Sequence, residues 1–436
     1  MIDLQHVIHR VRHSNPTRVE GRVEKVVGLL VEVAGLAPPI GTELEVRVRD
    51  RALLLEVVGF RDGRALAAPL GPIAGIEPGA WVSTRAEAGE VEVSEALLGR
   101  VLDAFGRPLD GMPAPKCLHR VPLHAPPPPP FARRPIEVAL ETGVRALDAL
   151  LPLGKGQRIG LFAGTGVGKS TLLGMLCRHT KADVIVVGLV GERGREVLDF
   201  VRGALGEEGL ARSVVVAATS DAAPLVRVRG ALRATAIAEY FRDRGHSVLL
   251  VMDSVTRFAM ALREATLAAG EPPLSKGYTP SVFAALPSLL ERTGNGVGEG
   301  SITAVYTVLV EGDDLQDPIA DAVRGILDGH VVLSRKLADR GLFPAIDVLR
   351  SVSRVATEIC TSQHLRATSN VRDRLSAYTE AADLISIGAY APGSDPRVDA
   401  ARVAVPRIEE FIRQGLTEVT ARQDSIAQAT ALGELR

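Results

Sequence analysis

The sequence is poor in aromatic residues, in cysteine and in net charge, and each shortage excludes a class of protein. Aromatic residues make up 4% of the 436 residues, and the formal net charge at pH 7 is −1. Proteins that bind single-stranded nucleic acid use aromatic stacking platforms in a basic groove, so we expect no nucleic-acid partner. The three cysteines have neither metal-ligand spacing nor an obvious pairing, which is typical of a reducing compartment.

Long apolar runs are also missing. The hydrophobic fraction is 46%, but no uninterrupted apolar run approaches the length of a membrane span. Stretches such as "DVIVVGLVG" and "SVLLVMD" have the length and composition of buried parallel strands. The amino terminus, "MIDLQHVIHRVRHSN", has no apolar core of a signal peptide. The sequence therefore predicts a cytoplasmic protein, with room for about two to three domains.

The composition changes along the chain and predicts an α/β protein with four segments. Residues 18–88 are β-branched and rich in turns, as in a small β-barrel. In residues 89–360, after a stiff proline-rich connector, strands alternate with helical patterns, which indicates a largely parallel sheet with helices on both faces. Residues 361–436 have helical periodicity, and residues 1–17 are predicted to form an amphipathic amino-terminal segment.

The stretch "GLFAGTGVGKST" (160–171) combines an apolar strand, a glycine-rich turn and the start of a helix near Thr171. Glycines let successive backbone N–H groups point into one hollow, which suits a phosphate chain, and the helix adds its positive dipole end. Lys169 would reach the outer phosphates, and the Ser170 hydroxyl would bind Mg²⁺. Ala163 replaces the first glycine of the strict motif. The predicted nucleotide-binding residues are Gly164, Thr165, Gly166, Val167, Gly168, Lys169, Ser170 and Thr171.

Two further strands end in charged residues. "VIVVGLVGERGREVLDF" brings Glu192 and Arg193 to the end of a strand, where a glutamate can activate the water that attacks the γ-phosphate. "HSVLLVMDS" ends in Asp253, which at the end of a buried strand needs a cation such as Mg²⁺. Glu196 is a further candidate for the Mg²⁺ shell. Two structural alternatives stay open: "ERGRE" as a solvated helix start, and Asp253 as a helix cap.

Together with their flanking sequences, these motifs resemble those of the export ATPases of type III protein secretion. The resemblance covers the chain from about residue 18 onward and is carried by "GLFAGTGVGKSTLLGML", "GLVGERGREVLDF", "LLVMDSVTRFAMALREA", "GSITAVYTVLVEGDDLQDPIAD", "GLFPAIDVLRSVSRV" and "IGAYAPGSDP". That family serves the bacterial flagellum and the injectisome and is akin to the catalytic subunit of rotary ATP synthases.

The resemblance implies a homohexamer with a β-barrel crown, a RecA-like core that uses ATP and Mg²⁺, and a helical carboxyl-terminal domain. By motif, Glu192 is the catalytic carboxylate, Asp253 the Walker B residue and Phe343 the aromatic against adenine. Arg354 takes the place of the arginine finger offered to the neighbouring subunit. The acidic loop 311–318 matches a loop that faces a central stalk protein.

The resemblance also implies partners: an export gate, chaperones and secreted cargo at the inner membrane face. The amino-terminal segment 1–17 would dock on a stator-type regulator and on anionic lipid, with a frayed tail as the alternative. The amino-acid sequences of the motifs favour a flagellar system over an injectisome.

Three rival functions remain. A hexameric RNA translocase also joins a small barrel to a RecA core, but the first 90 residues contain only two aromatic residues, Phe60 and Trp81. A non-catalytic ring subunit would lack Glu192. A rotary ATPase catalytic subunit shares the motifs, although "GERGREV" and "VLVEGDDLQDP" are more similar to the sequences of the export ATPases.

Overall fold

A computed structural model describes residues 20–49, 51–85, 89–310, 314 and 316–435. The predicted amino-terminal segment 1–17 lies outside the described residues, and so do residues 311–313 and 315 of the 311–318 loop. In the described ranges no helix is both long enough and apolar enough to cross a bilayer.

The amino-terminal strands close into a barrel in the order β1-β2-β5-β4-β3-β6. Side chains alternate between its interior and its surface because successive residues of a strand point to opposite faces. Val31, Val33, Leu44 and Val46 are among those that fill the interior and are fully buried. The barrel strands are β1 Glu20–Val27, β2 Leu30–Ala34, β3 Glu43–Val48, β4 Arg51–Arg61, β5 Arg64–Pro69 and β6 Trp81–Thr84.

The central part of the chain forms a nine-stranded sheet in the order β19-β18-β12-β17-β15-β13-β14-β8, with β16 paired to β17. Its strands from β18 to β8 are parallel, and β19 and β16 are antiparallel to their neighbours. The strands of this sheet are β8 Arg100–Asp103, β12 Arg158–Ala163, β13 Val184–Val190, β14 Ser213–Ala218, β15 Ser247–Asp253, β16 Gly294–Asn295, β17 Ser301–Leu309, β18 Gly329–Leu333 and β19 Ile346–Ser353. Two small sheets pair β7 Glu90–Val93 with β9 His119–Pro122 and β10 Ala139–Leu140 with β11 Leu153–Gly154.

Helices cover both faces of this sheet, as predicted. Ile185 and Val187 of β13 belong to one hydrophobic cluster, whereas Val184 and Val186 belong to another, because alternate residues point to opposite faces. The helices are α1 Arg145–Leu150, α2 Lys169–His179, α3 Gly194–Asp199, α4 Gly206–Ala211, α5 Pro224–Arg242, α6 Val255–Ala269, α7 Pro280–Leu290, α8 Pro318–Ile326, α9 Arg335–Asp339, α10 Ala356–Ile359, α11 Ser362–Ser386, α12 Pro396–Ile412 and α13 Arg422–Gly433. A π-helical turn, Phe200–Leu205, joins α3 to α4, and short 3₁₀ turns span Glu95–Leu97 and Pro130–Ala132.

The carboxyl-terminal helices α11 to α13 pack on one another and on α1 of the core. Gln414, just after α12, is almost fully buried and connects the two parts by several hydrogen bonds. Its side chain accepts from the backbone N–H of Arg145 at 2.8 Å and donates to the carbonyls of Gly143 and Glu418, each at 2.8 Å. The predicted architecture, a β-barrel followed by a P-loop α/β core and a helical carboxyl-terminal domain, is confirmed. The residue boundaries 18–88, 89–360 and 361–436 stay predictions.

Candidate functional site

The glycine-rich turn follows β12 and leads directly into α2. Gly166 and Gly168 have φ of 76° and 86°, a left-handed backbone that glycine adopts without strain. Helix α2 begins at Lys169, two residues before the predicted start near Thr171. The turn is held from outside, because the Arg335 guanidinium donates to the carbonyl of Thr165 at 2.9 Å. Because the cap residue Gly168 offers no side-chain acceptor, the backbone N–H groups at the start of α2 are available to an anion.

This turn forms one wall of a cavity of about 460 Å³ at the carboxyl edge of the parallel sheet. The predicted residues that line it are Gly164, Thr165, Gly166, Gly168, Lys169, Ser170, Thr171, Glu192, Arg193, Glu196 and Asp253. Val167 points elsewhere: its side chain is 1% exposed and packs in the core, so it contributes to this turn only through its backbone.

The Lys169 side chain, from the turn after β12, contacts acidic residues at the ends of β13 and β15. Its Nζ lies 2.5 Å from Oδ1 of Asp253 and 3.5 Å from Oε1 of Glu192. Burial disfavours the ammonium, but the two carboxylates outweigh that effect and raise the pKa of Lys169. The lysine thus stays charged inside the cavity, where it can bind phosphate oxygens.

Asp253 is fixed by its neighbours and is only 3% exposed. The Thr307 hydroxyl on β17 donates to its Oδ1 at 2.7 Å. Asp253 does not cap α6: the cap is Ser254, whose Oγ accepts from the backbone N–H of Arg257 at 3.2 Å. The Asp253 carboxylate is therefore left for a cation, which in this structure is the Lys169 ammonium.

Glu192 lies beside a second acid, Glu196. Burial and a hydrogen bond shared with Glu196 raise the pKa of Glu192, against the opposing effect of Lys169. The same hydrogen bond lowers the pKa of Glu196. Glu196 also accepts a hydrogen bond from the backbone N–H of Arg193 at 3.3 Å, and this contact caps the start of α3. The interpretation of "ERGRE" as a helix start therefore holds for Glu196 and Arg193. A glutamate with a raised pKa is suited to take a proton near neutral pH.

Sequence reasoning missed Arg257 and Ser220, which also line the cavity. The aliphatic part of Arg257 packs on Gly191, where an added Cβ would lie 2.9 Å from the Arg257 Cβ. Its buried Nε has no hydrogen-bond partner among the described residues. The signal for Arg257 was its place in the first turn of the helix after Asp253. Ser220 carried no comparable signal, because it follows a strand without a recognisable motif.

Phe343 and Arg354 lie outside the lining of this cavity. The Phe343 ring contacts the P-loop, since a Cβ added to Gly168 would lie 3.1 Å from it, and the side chain is 38% exposed. Arg354 follows β19 and lies at the opposite edge of the sheet. Its guanidinium donates to the carbonyl of Arg324 at 3.4 Å, and it forms no ion pair with any residue that the structure describes.

The strand order, the glycine-rich turn and the convergence of Lys169, Glu192 and Asp253 define a P-loop nucleoside triphosphatase with an added β-barrel. The sequence matches the model of the ATP synthase alpha/beta family, nucleotide-binding domain, over residues 143–353. Residues 23–84 match the beta-barrel domain of the same family, and residues 360–430 match the T3SS EscN ATPase C-terminal domain.

Relatives and solved structures agree with these matches. The flagellum-specific ATP synthase of Salmonella typhimurium is 54% identical over 418 residues, which cover 93% of this chain and 92% of that protein. The assembled ATPase EscN of the enteropathogenic E. coli type III secretion system is 43% identical, with a TM-score of 0.90, over 95% of this chain and 100% of that chain. EscN in complex with its central stalk EscO is 42% identical, with a TM-score of 0.87 and the same coverage.

The chain therefore belongs to the ATPase family of flagellar and type III secretion systems. Its activity is the hydrolysis of ATP, and that hydrolysis energises type III protein export.

Proposed function

We propose that this ATPase serves a flagellar export apparatus as a homohexamer, at the cytoplasmic face of the inner membrane. Identity to the flagellum-specific ATP synthase of Salmonella typhimurium is 54%, against 50% to the type 3 secretion system ATPase of Xanthomonas euvesicatoria and 43% to EscN, and this order supports the flagellar assignment. The assembled state of EscN supports the ring. In this proposal, ATP turnover releases chaperones from exported proteins and unfolds the cargo at the export gate.

We assign the catalytic roles with support from the geometry at the sheet edge. Lys169 and the N–H groups of the glycine-rich turn bind the phosphates, and Glu192 takes a proton from the attacking water. Arg193 lines the same cavity; its exposed guanidinium contacts the Glu196 carboxylate at 3.4 Å and would turn from there toward developing negative charge. Phe343 offers its exposed face to adenine. The observation that supports the proposal most directly is the ammonium of Lys169 between the Glu192 and Asp253 carboxylates.

The residues present also fit Mg²⁺. The ammonium of Lys169 already acts as a cation beside Asp253, and the Ser170 hydroxyl lines the same cavity, so this is a set of hard oxygen ligands. Ser170 and Asp253 would hold the ion together with ATP, and Glu196 would contribute from the rim. When bound, Mg²⁺ neutralises charge on the β- and γ-phosphates.

Arg354 completes the site of the neighbouring subunit. Its place at the amino edge of the sheet prevents it from reaching the P-loop of its own chain, and the lack of a carboxylate partner among the described residues leaves its charge available. An arginine supplied in this way stabilises charge that develops on the γ-phosphate.

The remaining partners rest on the relatives and on the sequence. The complex of EscN with its central stalk supports a stalk protein inside the ring. We assign the contact with the stalk to the acidic loop 311–318, and the contact with a stator-type regulator, and with anionic lipid, to residues 1–17.

One genetic experiment tests the assignment. Replacing the chromosomal gene by its Glu192→Gln variant should abolish flagellar filaments and swimming in the organism that carries it, while the variant protein accumulates normally. Normal filaments together with the loss of injectisome secretion would overturn the flagellar assignment.

A further inference from the structure

A second cavity, of about 220 Å³, lies at the seam between the β-barrel and the core. Glu43 and Arg85 line it from the barrel, whereas Arg229 and Arg233 line it from α5. The turn at Gly106 and the small sheet of β7 and β9 complete its wall. None of the residues lining this cavity lines the ATP cavity at the sheet edge.

Most of the charge in the seam cavity is compensated within the chain. Glu43 pairs with Arg229 at 2.6 Å and with Arg85 at 3.7 Å. Arg120, at the rim, lies 3.4 Å from both Glu90 and Glu92. Each of these three arginines therefore has a carboxylate partner.

Arg233 differs from the other arginines of the cavity. It is 5% exposed, and its Nε donates to the carbonyl of Ala104 at 2.9 Å. Neither terminal nitrogen of the guanidinium has an acceptor or an ion-pair partner in the described part of the chain. Neither is fully enclosed either, so the unpaired side of the guanidinium opens onto the cavity.

The turn beside Arg233 leaves room for its guanidinium at the cavity wall. Gly106 has φ of 84°, and a Cβ at this position would lie 2.6 Å from Nη1 of Arg233. Burial and the nearby charge of Arg229 lower the pKa of Arg233 to about 10, so the guanidinium still carries its charge at neutral pH. Asp103 and Glu92 oppose this lowering, but neither forms an ion pair with the guanidinium. A buried charge without an ion-pair partner is unfavourable, and an anion in the cavity would reduce that cost.

We propose that the seam cavity binds a small oxyanion, with the Arg233 guanidinium as its principal ligand. The four arginines and three glutamates of the cavity wall leave one net positive charge for such a ligand. The volume is below the range of drug-sized ligand pockets and excludes a nucleotide, but it accommodates an ion of the phosphate or carboxylate type. A planar guanidinium matches such oxyanions in geometry, because it donates two parallel hydrogen bonds.

The bound oxyanion links the two parts of the chain. It lies between the Gly106 turn and α5 on the core side, and the barrel contributes Arg85 on the other side. Binding should therefore stabilise the attachment of the barrel to the core, and with it the folded chain as a whole.

The test is a titration of the full-length chain, saturated with ADP and Mg²⁺ so that the P-loop is filled, at constant ionic strength. Inorganic phosphate and acetate are added separately, and the thermal midpoint and the heat of binding are recorded. The wild-type chain should be stabilised with a saturating dependence on phosphate. Arg233→Gln should weaken that dependence by about tenfold or more, whereas Arg244→Gln, which removes an exposed arginine just beyond α5, should leave it unchanged.

Comparing phosphate with acetate identifies the class of oxyanion that binds. If phosphate alone stabilises the chain, the cavity binds tetrahedral oxyanions. If acetate stabilises the chain equally, and both effects are lost in Arg233→Gln, the cavity also binds carboxylates. Arg233→Met, which keeps the aliphatic packing, gives the same comparison if Arg233→Gln does not fold. An unchanged phosphate dependence in both variants overturns the proposal. The proposal is also overturned if the variants lower the thermal midpoint by the same amount at every phosphate concentration, since that result assigns Arg233 a structural role only.

Discussion

The backbone N–H of Arg354 donates to the carbonyl of Asp328 at 3.0 Å, and the Asp328 carboxylate holds Arg158 at the first residue of β12. Because β12 then runs six residues to the P-loop, Arg354 lies roughly 20 Å from the phosphate site of its own chain. An arginine in this position is too far from the phosphate site of its own chain to act there, which supports the proposed role at a neighbouring site.

Arg354→Ala should therefore bind ATP but hydrolyse it about 10³-fold more slowly, even when fully assembled, because charge on the γ-phosphate is no longer stabilised across the subunit boundary. The measurement is steady-state turnover against protein concentration. Mixing Arg354→Ala with Lys169→Ala chains should restore some activity, since an intact Lys169 site can then sit beside an intact Arg354. Mixed hexamers without any recovery would contradict the placement in trans.

Lys169→Ala should weaken ATP binding by about tenfold or more, because a charge-assisted contact with the phosphates is lost. It should also lower the stability of the nucleotide-free chain, because Asp253 and Glu192 lose their shared cation. Fluorescent-nucleotide titration and thermal unfolding measure the two effects. Lys181→Ala, which breaks an exposed pair with Glu141, is the control and should change neither. Wild-type affinity in Lys169→Ala would contradict the assignment of the P-loop.

Gln414→Ala should lower the free energy of unfolding by about 1–3 kcal/mol, because the buried carbonyl of Gly143 and the part-buried backbone groups of Glu418 and Arg145 lose their hydrogen-bond partner. Urea unfolding measures the change, with the exposed Gln423→Ala on α13 as the matched control. An unfolding midpoint equal to that of the control would show that Gln414 does not hold the carboxyl-terminal domain on the core.

Glu56 should make the stability of the barrel depend on pH. Burial, opposed by Arg229 and reinforced by Glu43, raises the pKa of Glu56 from 4.5 to about 7. The folded chain therefore binds more protons than the unfolded chain between these values, and the free energy of unfolding falls as the pH rises through that range. The fall amounts to at most about 3 kcal/mol. Glu56→Gln should remove this part of the pH dependence, while Glu24→Gln, on an exposed face of the barrel, should keep it.

Much of the ATP site could be predicted from the sequence because it depends on strand ends. Strands β13 and β15 each appear as an apolar run followed by an acidic residue, and β12 leads into the glycine-rich turn; parallel strands bring their carboxyl ends to one edge. Glu192 and Asp253 follow from that rule, and Lys169 follows from the glycine-rich motif after β12. The helix start was placed two residues late, because the P-loop glycine before Lys169, rather than a side chain, forms the cap of α2.

The contacts that hold these residues could not be predicted, because they join elements that are distant in the sequence. Thr307 reaches Asp253 across neighbouring strands, and Gln414 reaches Gly143 from another domain. The order of the barrel strands likewise depends on long-range pairing. The seam cavity left no motif at all, because its charges come from the barrel, a turn and a helix that meet only in the folded chain.

The most direct test of the catalytic account is Glu192→Gln, with ATP binding and turnover measured on the same assembled preparation. ATP affinity should stay within a few-fold of the wild type, because Lys169 and the P-loop are unchanged. Turnover should be lower by about 10²-fold or more, because the amide cannot take the proton of the attacking water. Turnover near the wild-type rate, with ATP bound normally, would contradict the assignment of Glu192 as the catalytic base.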